Sequence, residues 1–142
     1  MKVKIKRIDT TLELPEFKTK GSIGFDLVAR ENVTLPAGEV RLIPLNIVVK
    51  TPVGYGLFLL PRSSTPLKKG LLIPNGVGVI DQDYSGDEDE LKLQALNFTK
   101  KTVKVERGER IAQAVFVKIE RPEFVEVKSM TSKSRGGFGS TG

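Results

Sequence analysis

The residues best suited to chemistry gather between Asn75 and Gly86, which read Asn-Gly-Val-Gly-Val-Ile-Asp-Gln-Asp-Tyr-Ser-Gly. An apolar run (Val77, Val79, Ile80) enters a turn that carries Asp81, Asp83 and Tyr84. Glycines at 76, 78 and 86 would let a ligand approach the main chain closely, because no Cβ intervenes. A bare main chain offers donors and acceptors to a flat polar ring. A tyrosine face can cover a sugar, and a carboxylate can orient water. The competing reading is a β-hairpin whose Asn, Asp and Gly serve only its turn.

A second set lies upstream, in Arg62-Ser63-Ser64-Thr65-Pro66-Leu67-Lys68-Lys69-Gly70. A hydroxyl cap at 64 or 65, a proline at the first helical position and a glycine stop predict one short helix. Hydroxyls and free N–H groups at such a start suit an anion. Arg62 adds a planar fork of donors that matches phosphate. The alternative is a capped turn beside a surface arginine.

What the chain lacks narrows the chemistry further. Its 142 residues include no cysteine and no histidine. Thiolate nucleophiles, disulfides, Cys/His zinc sites and an imidazole base are excluded. Acid–base work would fall mainly to Asp or Glu, and a metal would be a hard cation such as Mg²⁺ held by oxygen. The net charge is +6, spread along the chain without an arginine-rich run. Nucleic acid, anionic lipid or a phosphorylated small molecule could each use that charge. An aromatic content of 6%, without interleaving, weighs against nucleic acid. No stretch approaches the roughly 20 apolar residues of a membrane span. The alternating, charged start Met1-Lys2-Val3-Lys4-Ile5-Lys6 is not a signal peptide. The expectation is a cytoplasmic protein without a membrane partner.

The elements that must position these residues are short and apolar. Strands are predicted at 2–8, within 21–29, at 33–35, 40–49, 55–60, 71–73, 77–80, 91–97, 102–105, 111–119 and 124–127. Pro44 marks an edge or a bulge. Short strands punctuated by turns, with no long amphipathic helix and no repeat, predict an all-β barrel or sandwich. Ser129 to Gly142 is rich in Ser, Gly and basic residues and reads as a tail. The expected division is a β-barrel domain over 1–128 and a glycine-rich C-terminal arm over 129–142.

Five separated segments carry a family resemblance. They are Gly24-Phe25-Asp26-Leu27, Pro61-Arg62-Ser63-Ser64, Asn75 to Gly86, Arg110-Ile111-Ala112-Gln113, and Gly136-Gly137-Phe138-Gly139-Ser140-Thr141-Gly142. In this order they resemble the five motifs of the trimeric dUTP pyrophosphatases (dUTPases). The resemblance implies a distorted jelly-roll β-barrel in a homotrimer with exchanged C-terminal arms, each site drawing on three subunits. It implies hydrolysis of dUTP to dUMP and pyrophosphate, with Mg²⁺ carried on the triphosphate and no direct protein ligand. By matching position, Asp81 resembles the carboxylate that orients and deprotonates the attacking water, with Asp83 a competing candidate by chemistry alone. Tyr84 resembles the deoxyribose platform. Asn75, with the hairpin main chain at Gly76 and Val79, would face the uracil edge. Arg62, Ser63, Ser64 and Gln113 would contact phosphate and metal-bound water. Asp26 would support them, with a strand-start cap as its alternative role, and Arg110 would form a structural ion pair. Phe138 would close over the uracil, and Gly139, Ser140 and Thr141 would meet the phosphates.

Three features depart from the family pattern. Lys133-Ser134-Arg135 stands where an Arg-Gly-x is usual, so Lys133 or Arg135 takes the arginine role, and Arg135 has the fork that suits a γ-phosphate. Asp87-Glu88-Asp89 lengthens the hairpin and is expected to be a solvated tip rather than a metal site. Thr65-Pro66 stands where Leu-Ala is frequent. Other readings are a deoxycytidine triphosphate deaminase-like or bifunctional enzyme of the same fold, and a non-catalytic nucleotide-binding regulatory trimer.

Overall fold

A computed structural model describes residues 1–139. Among the described residues the regular structure is eleven strands and one short helical turn, Thr65–Lys69. The strands are β1 (Lys4–Arg7), β2 (Gly24–Val28), β3 (Val33–Leu35), β4 (Val40–Pro44), β5 (Ile47–Lys50), β6 (Tyr55–Pro61), β7 (Leu71–Leu72), β8 (Gly78–Ile80), β9 (Lys92–Asn97), β10 (Val103–Val105) and β11 (Arg110–Lys118). All pairings are antiparallel. Four small sheets result, in the orders β1-β5, β10-β3, β2-β11-β6-β8 and β4-β9-β7.

Alternation explains why these segments are strands that enclose a core. In β9 the burial runs exposed, buried, exposed, buried over Lys92, Leu93, Gln94 and Ala95, so one face is apolar and the other wet. The apolar faces meet in one cluster that includes Leu27, Leu35, Ile43, Leu45, Ile47, Leu57, Leu93 and Ile111. Phe25 belongs to it, and Phe17 packs edge-on against Phe25 with ring centroids 5.7 Å apart, tying down the segment before β2.

The long apolar run from 40 to 49 is two strands rather than one. Asn46 breaks it with a backbone φ of 68°, in the left-handed region that Asn tolerates better than most residues. The run at 124–127 forms no strand: Phe124 and Val125 are exposed, and no neighbouring segment of the described chain pairs with them. The helical turn lies where expected, with Pro66 in its first turn and Gly70 ending it in a left-handed conformation. No side-chain hydroxyl caps its start, however. Thr65 Oγ1 donates instead to the Ile111 carbonyl at 3.2 Å, because Thr65 is buried beneath β11.

Candidate active site

Three strands bring the first cluster together by register. Gln113 of β11 stands opposite Asp26 of β2 on one side and Leu60 of β6 on the other. Arg62 follows the end of β6. Its Nε donates to Asp26 Oδ1 at 2.8 Å, and Arg110 Nη1 donates to Asp26 Oδ2 at 3.1 Å. Asp26 therefore holds two guanidinium groups, and Arg110 has the ion pair expected of it. Arg62 Nη1 also donates to the Arg110 carbonyl at 3.3 Å, which fixes the fork without using all its donors. Gln113 Nε2 donates to the Pro61 carbonyl at 2.9 Å. That bond turns its Oε1 toward Gly24, where a Cβ would stand only 3.0 Å away. The glycine before Asp26 therefore makes room for the Gln113 amide.

Arg62 and Ser64 also line an open cleft of about 350 Å³, shared with Lys68, Lys69 and Arg110. Ser64 accepts the Lys68 N–H through its carbonyl at 2.8 Å, so its hydroxyl is not consumed in capping. Sequence reasoning did not assign Lys68 and Lys69 to the site; their place in the last helical turn was the available signal. Lys69 is partly committed, with Nζ 2.8 Å from Glu109 Oε1.

The hairpin forms the second cluster. Asn75, Gly76, Val79, Asp81, Asp83 and Tyr84 are all exposed, and Val79 retains 65% of its surface. Val77, Val79 and Tyr84 thus bring apolar surface to solvent beside the Asp81 and Asp83 carboxylates. The Tyr84 N–H donates to the Asp81 carbonyl at 3.3 Å, so the carboxylate and the ring share one turn. Gln82 anchors that turn by donating from Nε2 to the Tyr55 carbonyl at 2.8 Å. Lys50 Nζ reaches the Gln82 carbonyl and Ser85 Oγ, at 3.4 and 3.0 Å. Asp81 and Val79 border a cleft of about 690 Å³ with Tyr55, Phe58 and Arg121.

The acidic tip is engaged locally. Asp87 pairs with Lys6 at 3.0 Å, and Asp89 Oδ2 accepts the Gly86 N–H at 2.7 Å. Among the described residues no group of three or more acidic side chains is placed to hold a metal ion. Ser64, at the arginine cleft, offers a hydroxyl oxygen that suits a magnesium ion carried on a triphosphate and met through water rather than caged by carboxylates.

The two clusters do not meet within one protomer. Ile80 pairs with Leu57, near the start of β6, so the register brings Asp81 level with Gly56 at that end. Arg62 follows the other end. At about 3.3 Å per residue the two are roughly 20 Å apart along the strand. In the tail, Phe138 is fully exposed with a φ of 50° and covers no part of its own barrel. Lys133 and Gly139 are exposed as well. Ser140 and Thr141 lie outside the described residues.

A family model described as dUTPase matches residues 10–142. The deoxyuridine 5'-triphosphate nucleotidohydrolase of Thermobifida fusca is 41% identical over 145 residues, covering 100% of this chain and 79% of that protein. A dUTPase crystal structure from Streptococcus mutans superposes with a TM-score of 0.77 at 36% identity, covering 84% of this chain and 98% of that one. The dUTPase of Staphylococcus bacteriophage 80alpha, solved with dUPNHPP, superposes with a TM-score of 0.88 at 28% identity over 99% of this chain and 98% of that one.

Proposed function

The chain belongs to the dUTPase family, and from that premise we propose that it hydrolyses dUTP to dUMP and pyrophosphate as a homotrimer of jelly-roll subunits. The separation of Asp81 from Arg62 along β6 carries the proposal for the site. A catalytic carboxylate at the α-phosphate and an arginine on the outer phosphates must stand within a few ångströms of one triphosphate. Here they occupy opposite ends of one strand, which supports a site shared between subunits.

Asp81 accepts a proton from a water molecule as the water oxygen bonds to the α-phosphorus. The bond from that phosphorus to the bridging oxygen breaks, and the electron pair leaves with pyrophosphate. A carboxylate is a modest base, so most of the acceleration falls to positioning and charge neutralisation. Arg62, Ser63, Ser64 and Gln113 of a second subunit bind the phosphates, and Asp26 keeps Arg62 in place. When bound on the triphosphate, Mg²⁺ supplies further neutralisation of the charge on the leaving group.

Asn75 and the main chain at Gly76 and Val79 pair with the uracil edge. Cytosine would present a donor where uracil presents an acceptor, leaving a hairpin donor unpaired. Tyr84 lies against the deoxyribose, where a 2'-hydroxyl would meet the ring. Phe138 covers the base as residues 129–142 of a third subunit close, with Gly139, Ser140 and Thr141 on the phosphates and Arg135, rather than Lys133, on the γ-phosphate. Closure of that arm excludes water from the triphosphate. The absence of cysteine from the sequence supports a cytoplasmic setting. No helix among the described residues is long and apolar enough to cross a membrane.

Replacing Asp81 by Asn tests the assignment. It keeps size and shape while removing the base. Turnover of dUTP should fall by about 10²- to 10⁴-fold, with dUTP still bound in isothermal titration. Undiminished turnover in Asp81→Asn would move the base to Asp83. With the unaltered protein, release of ammonia from dCTP would overturn the reaction itself.

A further inference from the structure

Tyr84 is held at both ends, and one of its anchors rests on a charge pair that the reaction above does not use. Its N–H is tied to Asp81, and its hydroxyl donates to the Glu90 carbonyl at 3.1 Å. Glu90 is buried, its side chain only 8% exposed. Oε1 accepts from Arg30 Nε and from the Asn46 N–H, each at 2.8 Å, and Oε2 accepts from Arg30 Nη2 at 3.1 Å. Asn46 is equally constrained. Its Oδ1 accepts the Asp9 N–H at 2.7 Å, its Nδ2 donates to the Asp9 carbonyl at 3.0 Å, and its carbonyl accepts the Ile8 N–H at 2.9 Å. The residue after Glu90 is fixed too, since the Leu91 N–H donates to Ile47 and its carbonyl accepts from Leu45. The acceptor for the tyrosine hydroxyl therefore cannot drift.

A buried ion pair is a weak stability device, because desolvation offsets most of the attraction. A two-pronged guanidinium–carboxylate contact does fix an orientation. We propose that the Arg30–Glu90 pair, through the Glu90 carbonyl, is the positioning element that sets the Tyr84 ring against the sugar and so determines how strongly a ribonucleotide is rejected. The proposal rests on the reading of Tyr84 as the deoxyribose platform. A pocket wall rejects an added hydroxyl by only about 10²-fold. A ring that yields admits the hydroxyl, whereas a ring pinned at both ends does not.

The test compares kcat/KM for dUTP and UTP in the magnesium-loaded, assembled protein. Tyr84→Phe deletes only the hydroxyl and leaves the ring. It should lower the dUTP-to-UTP ratio about tenfold, mainly by raising kcat/KM for UTP. Glu90→Gln should do the same, and Arg30→Lys, which keeps the charge but not the fork, should fall between. A merely structural pair would lower the melting temperature and leave the ratio alone. Folded Tyr84→Phe with an unaltered ratio overturns the proposal, and so does an unaltered ratio in folded Arg30→Lys, which tests the pair even if Glu90→Gln does not assemble. Tyr84→Ala separates the two layers. An unaltered ratio there refutes the platform reading itself. A ratio lost in Tyr84→Ala but kept in Tyr84→Phe and Arg30→Lys refutes only the support.

Discussion

Single side chains in this protein act through shared partners. Asp26 holds Arg62 and Arg110 together, so the corner that would meet phosphate keeps one positive charge beyond balance. Asp9 is the other shared carboxylate. Its Oδ1 accepts from the Thr11 hydroxyl at 2.6 Å and its Oδ2 from Arg107 at 2.7 Å. The hydrogen bonds from Thr11 and then from Arg107 hold its pKa well below the ordinary value of 3.8. A carboxylate depressed in the folded state contributes stability above its unfolded pKa and loses it as the pH falls toward the folded value. The melting temperature should therefore drop more steeply below about pH 4 in the unaltered protein than in Asp9→Asn. Parallel slopes in thermal melts across that range would show that Asp9 is not linked to folding. The residues proposed for the phosphates and for the hairpin could be named because several of them fall in compact, ordered motifs. Glu90 could not. It ends the run Asp87-Glu88-Asp89-Glu90, which reads as solvated charge, and its burial depends on Arg30, sixty residues earlier.

Elements are fixed by what crosses between them. The helical turn at Thr65–Lys69 stops at Gly70, whose φ of 66° puts it in the left-handed region. A Cβ there would lie 2.1 Å from Thr99 Cγ2, so the chain after β9 passes directly over the end of the turn. Gly70→Ala should cost about 1–2 kcal/mol for the left-handed backbone and a further 1–3 kcal/mol or so for overpacking. Urea midpoints would separate the two contributions. Thr99→Ser in the Gly70→Ala background removes the offending methyl but keeps the hydroxyl that bonds Asn97 and Lys101. It should restore the overpacking part and leave the backbone part, and no recovery at all would mean that the neighbouring chain had already shifted. Most strands were legible from alternation alone. The break at Asn46 was not, because an apolar run does not reveal a residue with a positive φ whose N–H is held by Glu90. The run at Phe124 to Val127 shows the opposite limit: apolar spacing marks a face, but pairing requires a neighbour, and its own barrel supplies none.

At the scale of the whole molecule, β6 acts as a ruler. Asp81 stands level with Gly56 near one end and Arg62 past the other, roughly 20 Å apart at the ordinary rise of a strand. If each site draws its carboxylate from one subunit and its arginine from another, damage to the two should complement. Asp81→Asn and Arg62→Ala would each be close to inactive alone. Light scattering should give about three times the 15.6 kDa chain mass for both. Unfolded together and refolded as mixed trimers, they should regain activity. For equal amounts and random assembly, about a quarter of the sites would receive both an intact carboxylate and an intact arginine. A site built within one chain behaves differently. Every subunit then carries one defect, so no mixture can contain a whole site and the refolded mixture stays inactive. Mixing without unfolding provides the control, since trimers that do not exchange subunits should show no recovery. Recovery near a quarter of the unaltered activity would establish the shared site, and its absence in mixed trimers of the right mass would return the whole reaction to one subunit, against the distance that β6 imposes.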